Sequence, residues 1–327
     1  MHLSTLLLTL APALALATPA FQNLQSRGSS DATCGNTGAG VNKGQTCSSG
    51  GVGGSCCSQN GWCGDTPAYC GAGCQAQFGR CDAPNAGTSG GSTSGTARSK
   101  NGNVLYGGGG VYRCVNPGTV AMTFDDGPYL YTNNLLDTLA SAGAKATFFV
   151  TGSNLDKGNI DDPSKGWDKV IQRMYNNGHQ VASHTWSHQD LSTLSEEARR
   201  NEMLHLEAAL VKIIGRFPTY MRPPYSSCNG ACQATLADLG YHIIYFDLDT
   251  DDYNQLGNIQ NSKDNVDRAM AGTSPNSRSF LSIAHDIHPQ TSNDLAPYMI
   301  RRFAEAGYRM VTLGECLGDP AGNWYRS

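Results

Sequence analysis

Eight of the twelve cysteines lie between Cys34 and Cys81, and so dense a run decides what this end of the chain can become. A segment that short has too little apolar surface to hold itself together. The spacing therefore predicts a disulfide scaffold formed in an oxidising compartment. The other four, Cys114, Cys228, Cys232 and Cys316, are scattered through a region of different character. Between the two regions, 11 of the 15 residues in 85–99 are Gly, Ser or Thr, the composition of a flexible tether. At 327 residues the chain has room for a full core beside the small module.

The apolar run 3–16, interrupted by Ser4, Thr5 and Thr9, is too short to span a bilayer. It leads into Ala15-Leu16-Ala17, a small-residue pattern that precedes signal-peptide cleavage. Only Met1 and His2 stand before it, so the expectation of export rests on this run, the cleavage pattern and the cysteines together. The expected segments are a signal peptide at 1–17, an N-terminal linker at 18–33, the cysteine-rich module at 34–81, a Gly/Ser/Thr-rich linker at 82–110, a larger domain at 111–318 and a tail at 319–327. With 23 Lys+Arg against 27 Asp+Glu, net −4, no basic stripe exists to meet a phosphate backbone, and nucleic acid is not expected as a partner. Residues 322–327 carry no apolar tail for a lipid anchor, and no Asn-x-Ser/Thr triplet offers a glycan site. A secreted monomer follows, extracellular or cell-wall associated and not membrane-bound.

From about Val111 onward, strand-like runs at 120–124, 147–150, 180–183, 219–221, 243–246, 280–284 and 310–313 alternate with helical patterns. The helices are expected at 134–142, 167–175, 195–214, 233–239, 266–270 and 297–306. This alternation predicts a parallel βα architecture, either an open sheet or a barrel. In both, ligands meet the carboxyl ends of the strands.

The chemically useful residues stand at those ends. Asp125-Asp126-Gly127-Pro128 follows the first strand; alone it reads as a polar turn. His184 and His188 follow the third, and their i, i+4 spacing puts both imidazoles on one face if the chain turns helically there. One carboxylate and two imidazoles make a site with open positions that suits catalytic Zn²⁺. Arg222-Pro223-Pro224-Tyr225 follows the fourth strand, Asp249-Thr250-Asp251-Asp252-Tyr253 the fifth, and Ile283-Ala284-His285-Asp286 ends the sixth. Each is individually compatible with a loop or a packed side chain, but five polar clusters at five successive strand ends are not a chance pattern. His179, His205, His242 and His288 match no such position and are read as surface or packing residues.

In this order the motifs resemble those of the polysaccharide deacetylases, the NodB-homology carbohydrate esterases, over roughly 112–317. The resemblance implies a distorted (β/α) barrel with fewer than eight repeats, here about seven parallel strands. It implies a hydrolase of linear amide C–N bonds with one divalent metal, Zn²⁺ foremost, Co²⁺ or another divalent ion as alternatives. Asp126, His184 and His188 take the place of its metal ligands, and Asp125 that of the general base. Arg222 resembles the arginine that orients this base, and Tyr225 supplies a backbone N–H to the developing oxyanion. His285 matches the general acid, with Asp252 fixing its tautomer. The chemistry needs these types: metal acidifies water, a carboxylate accepts the proton, and an amine leaves only when protonated. Tyr253 stands where the family commonly has Trp, and Ile283 where Leu is usual. Both resemble walls of the acetyl-methyl pocket, so a retuned substrate preference is expected rather than loss of activity.

Counting leaves 105 pairings open for the eight N-terminal cysteines. The stretch from Cys56-Cys57-Ser58 through Trp62-Cys63-Gly64 to Tyr69-Cys70-Gly71 resembles hevein-type chitin-binding domains, with a generic disulfide knot as the alternative. That resemblance implies the pairs Cys34–Cys57, Cys47–Cys63, Cys56–Cys70 and Cys74–Cys81, and N-acetylglucosamine contacts from Ser58, Trp62 and Tyr69. Asn60 replaces an aromatic, so weak binding is expected. Cys114 and Cys316 bracket the larger domain, and a bridge closing that loop would add roughly 4 to 5 kcal/mol on the loop-entropy picture. Cys228 and Cys232 are placed for a local bridge stiffening the loop after Arg222; a zinc site from these four thiols is the alternative. The expected function is a secreted, metal-dependent enzyme converting chitin or chitooligosaccharides to chitosan and acetate. Alternatives are deacetylation of peptidoglycan or acetylxylan, and a non-catalytic chitin-binding protein.

Overall fold

The computed structural model describes residues 29–41, 43–48, 52–65, 67–70, 74–75, 77–81 and 93–327. The expected signal peptide and most of the 18–33 linker lie outside the described residues. In the cysteine-rich module, β1 (Cys56–Cys57) and β2 (Cys63–Gly64) pair antiparallel, followed by the one-turn α1 (Pro67–Cys70). Cys34–Cys57, Cys47–Cys63, Cys56–Cys70 and Cys74–Cys81 are bridged, the pairing the resemblance implied. Its buried centre is Cys34, Cys47, Cys57 and Cys63 with Phe78 against them, so sulfur does the work of a hydrocarbon core.

Residues 82–92 of the expected 82–110 linker lie outside the described residues, and the rest of it is packed. Arg98 donates through Nη1 and Nη2 to the two oxygens of buried Glu207, at 2.7 and 2.9 Å, and the Thr93 hydroxyl donates to the same carboxylate. Gly107 and Val111 then hydrogen-bond to the Tyr241 and Ile243 carbonyls. From Thr93 the chain is packed rather than free, because a two-pronged guanidinium on a buried carboxylate outweighs the entropy of a few Gly and Ser residues. Residues 319–327 are likewise not a loose tail. Asp319 accepts from Tyr220 at 2.7 Å, and Tyr325–Arg326 forms a strand.

In the larger domain the strands are β3 (Thr119–Ala121), β4 (Thr123–Asp125), β5 (Thr147–Val150), β6 (Gln180–Ser183), β7 (Phe217–Pro218), β8 (Tyr220–Met221), β9 (His242–Ile243), β10 (Leu248–Asp249), β11 (Phe280–His285), β12 (Arg309–Val311) and β13 (Tyr325–Arg326). The helices are α2 (Thr132–Ser141), α3 (Trp167–Asn176), α4 (Glu196–Ile214), α5 (Gly230–Asp238), α6 (Gln260–Met270), α7 (Ala296–Glu305) and α8 (Leu313–Cys316). The run expected at 120–124 breaks at Met122 into β3 and β4, and of that expected at 243–246 only Ile243 is strand, in β9, with β10 following at Leu248.

The parallel order β4–β5–β6–β8–β9 is continuous. The chain then runs from β9 into β10, which pairs with β11, and β11 returns to β3 and β4. The ring closes, with β12 flanking β3, which is the distorted barrel expected. The antiparallel β7–β13 pair lies outside it. Helices pack Leu135, Leu136, Leu139, Ile171, Leu206, Leu210, Met299 and Phe303 against the outer faces of the strands in one core. Helix α4 is set by its ends: Ser195 Oγ accepts from Ala198 N, and Gly215 takes the left-handed cap at φ 73°. Cys114–Cys316 and Cys228–Cys232 are bridged as expected.

Candidate active site

Asp125 ends β4, His285 ends β11, and Asp126, His184 and Arg222 each follow a strand directly, so side chains distant in sequence converge at one rim of the ring. One ligand-type atom each from Asp126, His184 and His188 lies within 4.8 Å of the others. Asp126 Oδ1 is 3.5 Å from His184 Nε2 and 3.1 Å from His188 Nε2. The 184–188 stretch is not helical. It is a loop with Thr185 at φ 71° and His188 at φ 58°, so the imidazoles meet through left-handed turns rather than along a helix face.

The donor set fits a cation. His184 Nδ1 is 2.7 Å from the Arg222 carbonyl, which can only accept, so Nδ1 carries the proton and Nε2 presents a lone pair. Burial, only partly offset by Asp125, pulls this imidazole down to about 4 and keeps it neutral. That lone pair faces Asp126 Oδ1, a buried oxygen with no hydrogen-bond partner. Electron-rich atoms turned toward one another without protons are what a divalent ion relieves. Burial acts to raise the Asp126 carboxyl, but the His188 imidazole beside it outweighs that and holds it well below the usual carboxylate range.

Asp125 is 1% exposed and accepts from Arg222 Nη1 at 2.8 Å. Arg222, equally buried, also donates to Thr123 Oγ1 at 2.6 Å, to the Tyr245 carbonyl at 2.8 Å and to that of Ile244 at 3.4 Å, and it stacks on Phe149. His285 Nδ1 meets Asp252 Oδ1 at 2.8 Å, while Asp252 Oδ2 accepts from the His285 N–H at 2.7 Å and from Thr291 Oγ1 at 2.6 Å. Burial works against the imidazolium, but the Asp252 hydrogen bond and charge prevail and push His285 up to about 9. The shift favours the protonated ring at neutral pH, with Nδ1 engaged by Asp252.

Tyr225 lies over His188, ring centroids 4.7 Å apart, 70% exposed and at φ 58°. The Tyr253 ring meets the His285 ring edge-on at 5.2 Å, its hydroxyl donating to Asp249 Oδ2 at 3.1 Å. Ile283 is buried, two residues before His285 on β11 and so on the same strand face. In the small module Trp62 is 46% exposed, whereas Ser58 is buried with its Oγ accepting the Trp62 N–H at 3.1 Å. The Tyr69 ring covers Gly64, where a Cβ would fall 2.1 Å from it. Among the other histidines, His205 stacks on Trp186 at 3.5 Å, His179 Nδ1 accepts from Ala146 N, and His242 Nδ1 faces the Leu105 carbonyl. His288 is 6.3 Å from His285, ring to ring.

Two buried charges, Glu202 and Lys157, escaped the sequence reading, and Asp286 entered it only as the last residue of the cluster that ends the sixth strand. Glu202 on α4 accepts from Ser187 N at 2.7 Å and Ser187 Oγ at 2.6 Å, bracing the loop that carries His188. Its signal was there: Arg199, Glu202 and Glu207 all fall on the apolar stripe of α4. Lys157 and Asp286 are buried beneath the Asp126 turn, and no periodicity marks them.

The chain matches the polysaccharide deacetylase family over residues 112–244. It is 44% identical over 225 residues to a chitin deacetylase of Pestalotiopsis sp, covering 66% of this chain and 70% of that one. The solved structure of the chitin deacetylase from the fungal pathogen Colletotrichum lindemuthianum is 42% identical, with a TM-score of 0.63, over 66% of this chain and 94% of that one. A peptidoglycan deacetylase structure from Bacillus subtilis is 30% identical with a TM-score of 0.52, over 62% and 90% of the two chains. With those identities and that coverage added to five motifs gathered at one barrel rim, the chain belongs to the polysaccharide deacetylase family and is a hydrolase of amide C–N bonds.

Proposed function

We propose that this protein is a secreted, metal-dependent deacetylase of N-acetylglucosamine units in chitin and chitooligosaccharides, releasing acetate and leaving free amines. The observation that carries it is the unpartnered Asp126 Oδ1 facing the His184 and His188 nitrogens. Those three residues would hold the cation. Zn²⁺ bound there supplies Lewis-acid chemistry, acidifying water and drawing density from an acyl oxygen.

The chain's own groups do the rest. Asp125 takes the proton of the attacking water, and Arg222 keeps that carboxylate anionic and aimed. The Tyr225 N–H donates to the oxygen that gains charge. His285 delivers its Nε2 proton to the departing nitrogen, and Asp252 holds the ring by Nδ1. The balance is one water and one acetamide giving one amine and one acetic acid, which ionises. Tyr253 and Ile283 wall the space for the acetyl methyl. In this reading a chitin-binding module at 34–81 presents Trp62 and Tyr69 to sugar rings and is joined to a catalytic domain whose motifs begin near Val111. Six bridges fit an extracellular or cell-wall setting, and no described helix is long and apolar enough to cross a membrane.

The test is acetate release from an N-acetylglucosamine pentamer. Activity should vanish on chelation, return with Zn²⁺, and fall at least 1000-fold in Asp125→Asn, by analogy with loss of other groups essential to one step. Turnover that survives chelation removes the metal; release from acetylxylan or peptidoglycan alone removes chitin; binding to chitin without turnover of any substrate removes the enzyme.

A further inference from the structure

Lys157 is 6% exposed, and its Nζ lies 3.1 Å from the Asp126 carbonyl oxygen, 3.1 Å from that of Gly127 and 2.8 Å from Thr151 Oγ1. Two of those oxygens belong to the backbone of the turn that presents Asp126. The turn is held from its other side as well. The fully buried Asp286 carboxylate abuts Gly127 so closely that a Cβ would sit 2.4 Å from Oδ2, and the Thr132 hydroxyl donates to that oxygen.

Such holding has a reason. Asp126 is at φ 76°, a left-handed conformation that costs a residue with a Cβ about 1 kcal/mol, and a loop left to itself relaxes out of it. The approach of Lys157 is itself strained. Leu155 and Asp156, at φ 53° and 56°, are consecutive left-handed non-glycine residues, and that curl turns Lys157 inward while Leu155 stays 48% exposed. By Coulomb's law alone, a charged ammonium beside a cation site weakens metal binding, so removing it would tighten binding if charge were its only effect.

We propose that Lys157 is a positioning residue of the metal site: Nζ clamps the carbonyls of Asp126 and Gly127 and thereby aims the Asp126 carboxylate at His184 and His188. The proposal rests on the reading of those three residues as ligands. It puts a determinant of metal affinity outside all five motifs.

The test uses the full-length protein stripped of metal and titrated with Zn²⁺ by calorimetry against a competing chelator, for wild type, Lys157→Met and Thr151→Val. Wild type should bind one Zn²⁺. Lys157→Met should bind at least tenfold more weakly, the scale seen when a group supporting a ligand is lost, and Thr151→Val more weakly by a smaller factor. The visible spectrum of Co²⁺-loaded Lys157→Met should change, reporting an altered ligand geometry that a mere loss of stability would leave alone. Folded Lys157→Met that binds Zn²⁺ as tightly as wild type, or more tightly as charge alone demands, overturns the clamp. Should that variant not fold, unchanged affinity and Co²⁺ spectrum in Thr151→Val overturn it instead. Wild type that binds no Zn²⁺ removes the metal-site reading itself, and the clamp with it.

Discussion

His184 is buried and His285 half-buried, and their neighbours drive the two imidazoles to opposite charge states. His184 donates only to a neutral carbonyl and is kept neutral by burial, which a metal ligand requires; His285 donates to a carboxylate and stays charged, which a general acid requires. Folding thus raises the His285 pKa from 6.5 to about 9. The stability gained is complete below 6.5 and disappears as pH climbs through about 9. Asp252→Asn removes the charge that sustains the shift. In this variant the alkaline limb of the kcat/KM profile should move about two pH units lower, and melting of the metal-free protein should lose most of its dependence on pH between those values. An alkaline limb that stays in place takes His285 out of the acid's role. All these groups were legible in the sequence because the chemistry admits few residue types there. Lys157 was not, since it acts largely on main-chain atoms whose positions only the fold defines, and Glu202 showed only as a charge on the apolar stripe of α4.

Elements explain why the groups converge. The strand run 242–249 leaves its β8 partner after Ile243 and joins β11 only at Leu248, and through this gap Arg222 reaches the Ile244 and Tyr245 carbonyls. A break in the ladder thus becomes the socket for the residue that holds Asp125. The loop after β4 is as tightly fitted. Gly127 has no room for a methyl group against Asp286, which cannot retreat because it is fully buried. Gly127→Ala should therefore lower kcat/KM by about 100-fold through displacement of Asp125 and Asp126, with circular dichroism near wild type. Unchanged turnover would mean that the turn is not geometrically constrained. The i, i+4 spacing of His184 and His188 correctly paired them but for a reason that does not apply here: left-handed turns, braced by Glu202, replace the helix. Spacing records which residues meet, and backbone dihedrals decide how.

At the scale of the whole molecule, two devices hold the chain together. Cys114–Cys316 ties the two ends of the barrel domain across 202 residues, a constraint on the unfolded state worth about 5 kcal/mol. The double variant Cys114→Ser/Cys316→Ser should shift the urea midpoint down by a corresponding amount while leaving turnover of the folded enzyme intact. The Arg98–Glu207 pair fastens the chain that precedes the barrel domain onto helix α4. Trp62→Ala should reduce retention on insoluble chitin several-fold, the loss expected for one stacking aromatic, and leave acetate release from soluble pentamer unchanged. Equal retention would place sugar binding elsewhere.

The sequence alone determined the two-module plan, the alternation that makes a parallel barrel, and the identities of the residues at its strand ends, since hydrophobic period, cysteine density and reacting groups are all properties of local residue choice. Only the tertiary structure decided how the ring closes through 242–249, that the chain from Thr93 packs onto the barrel domain, and which buried charges grip the loops that carry Asp126 and His188. Those outcomes depend on contacts between segments far apart in the chain, and their energies exist only once the backbone has brought the partners within hydrogen-bond reach.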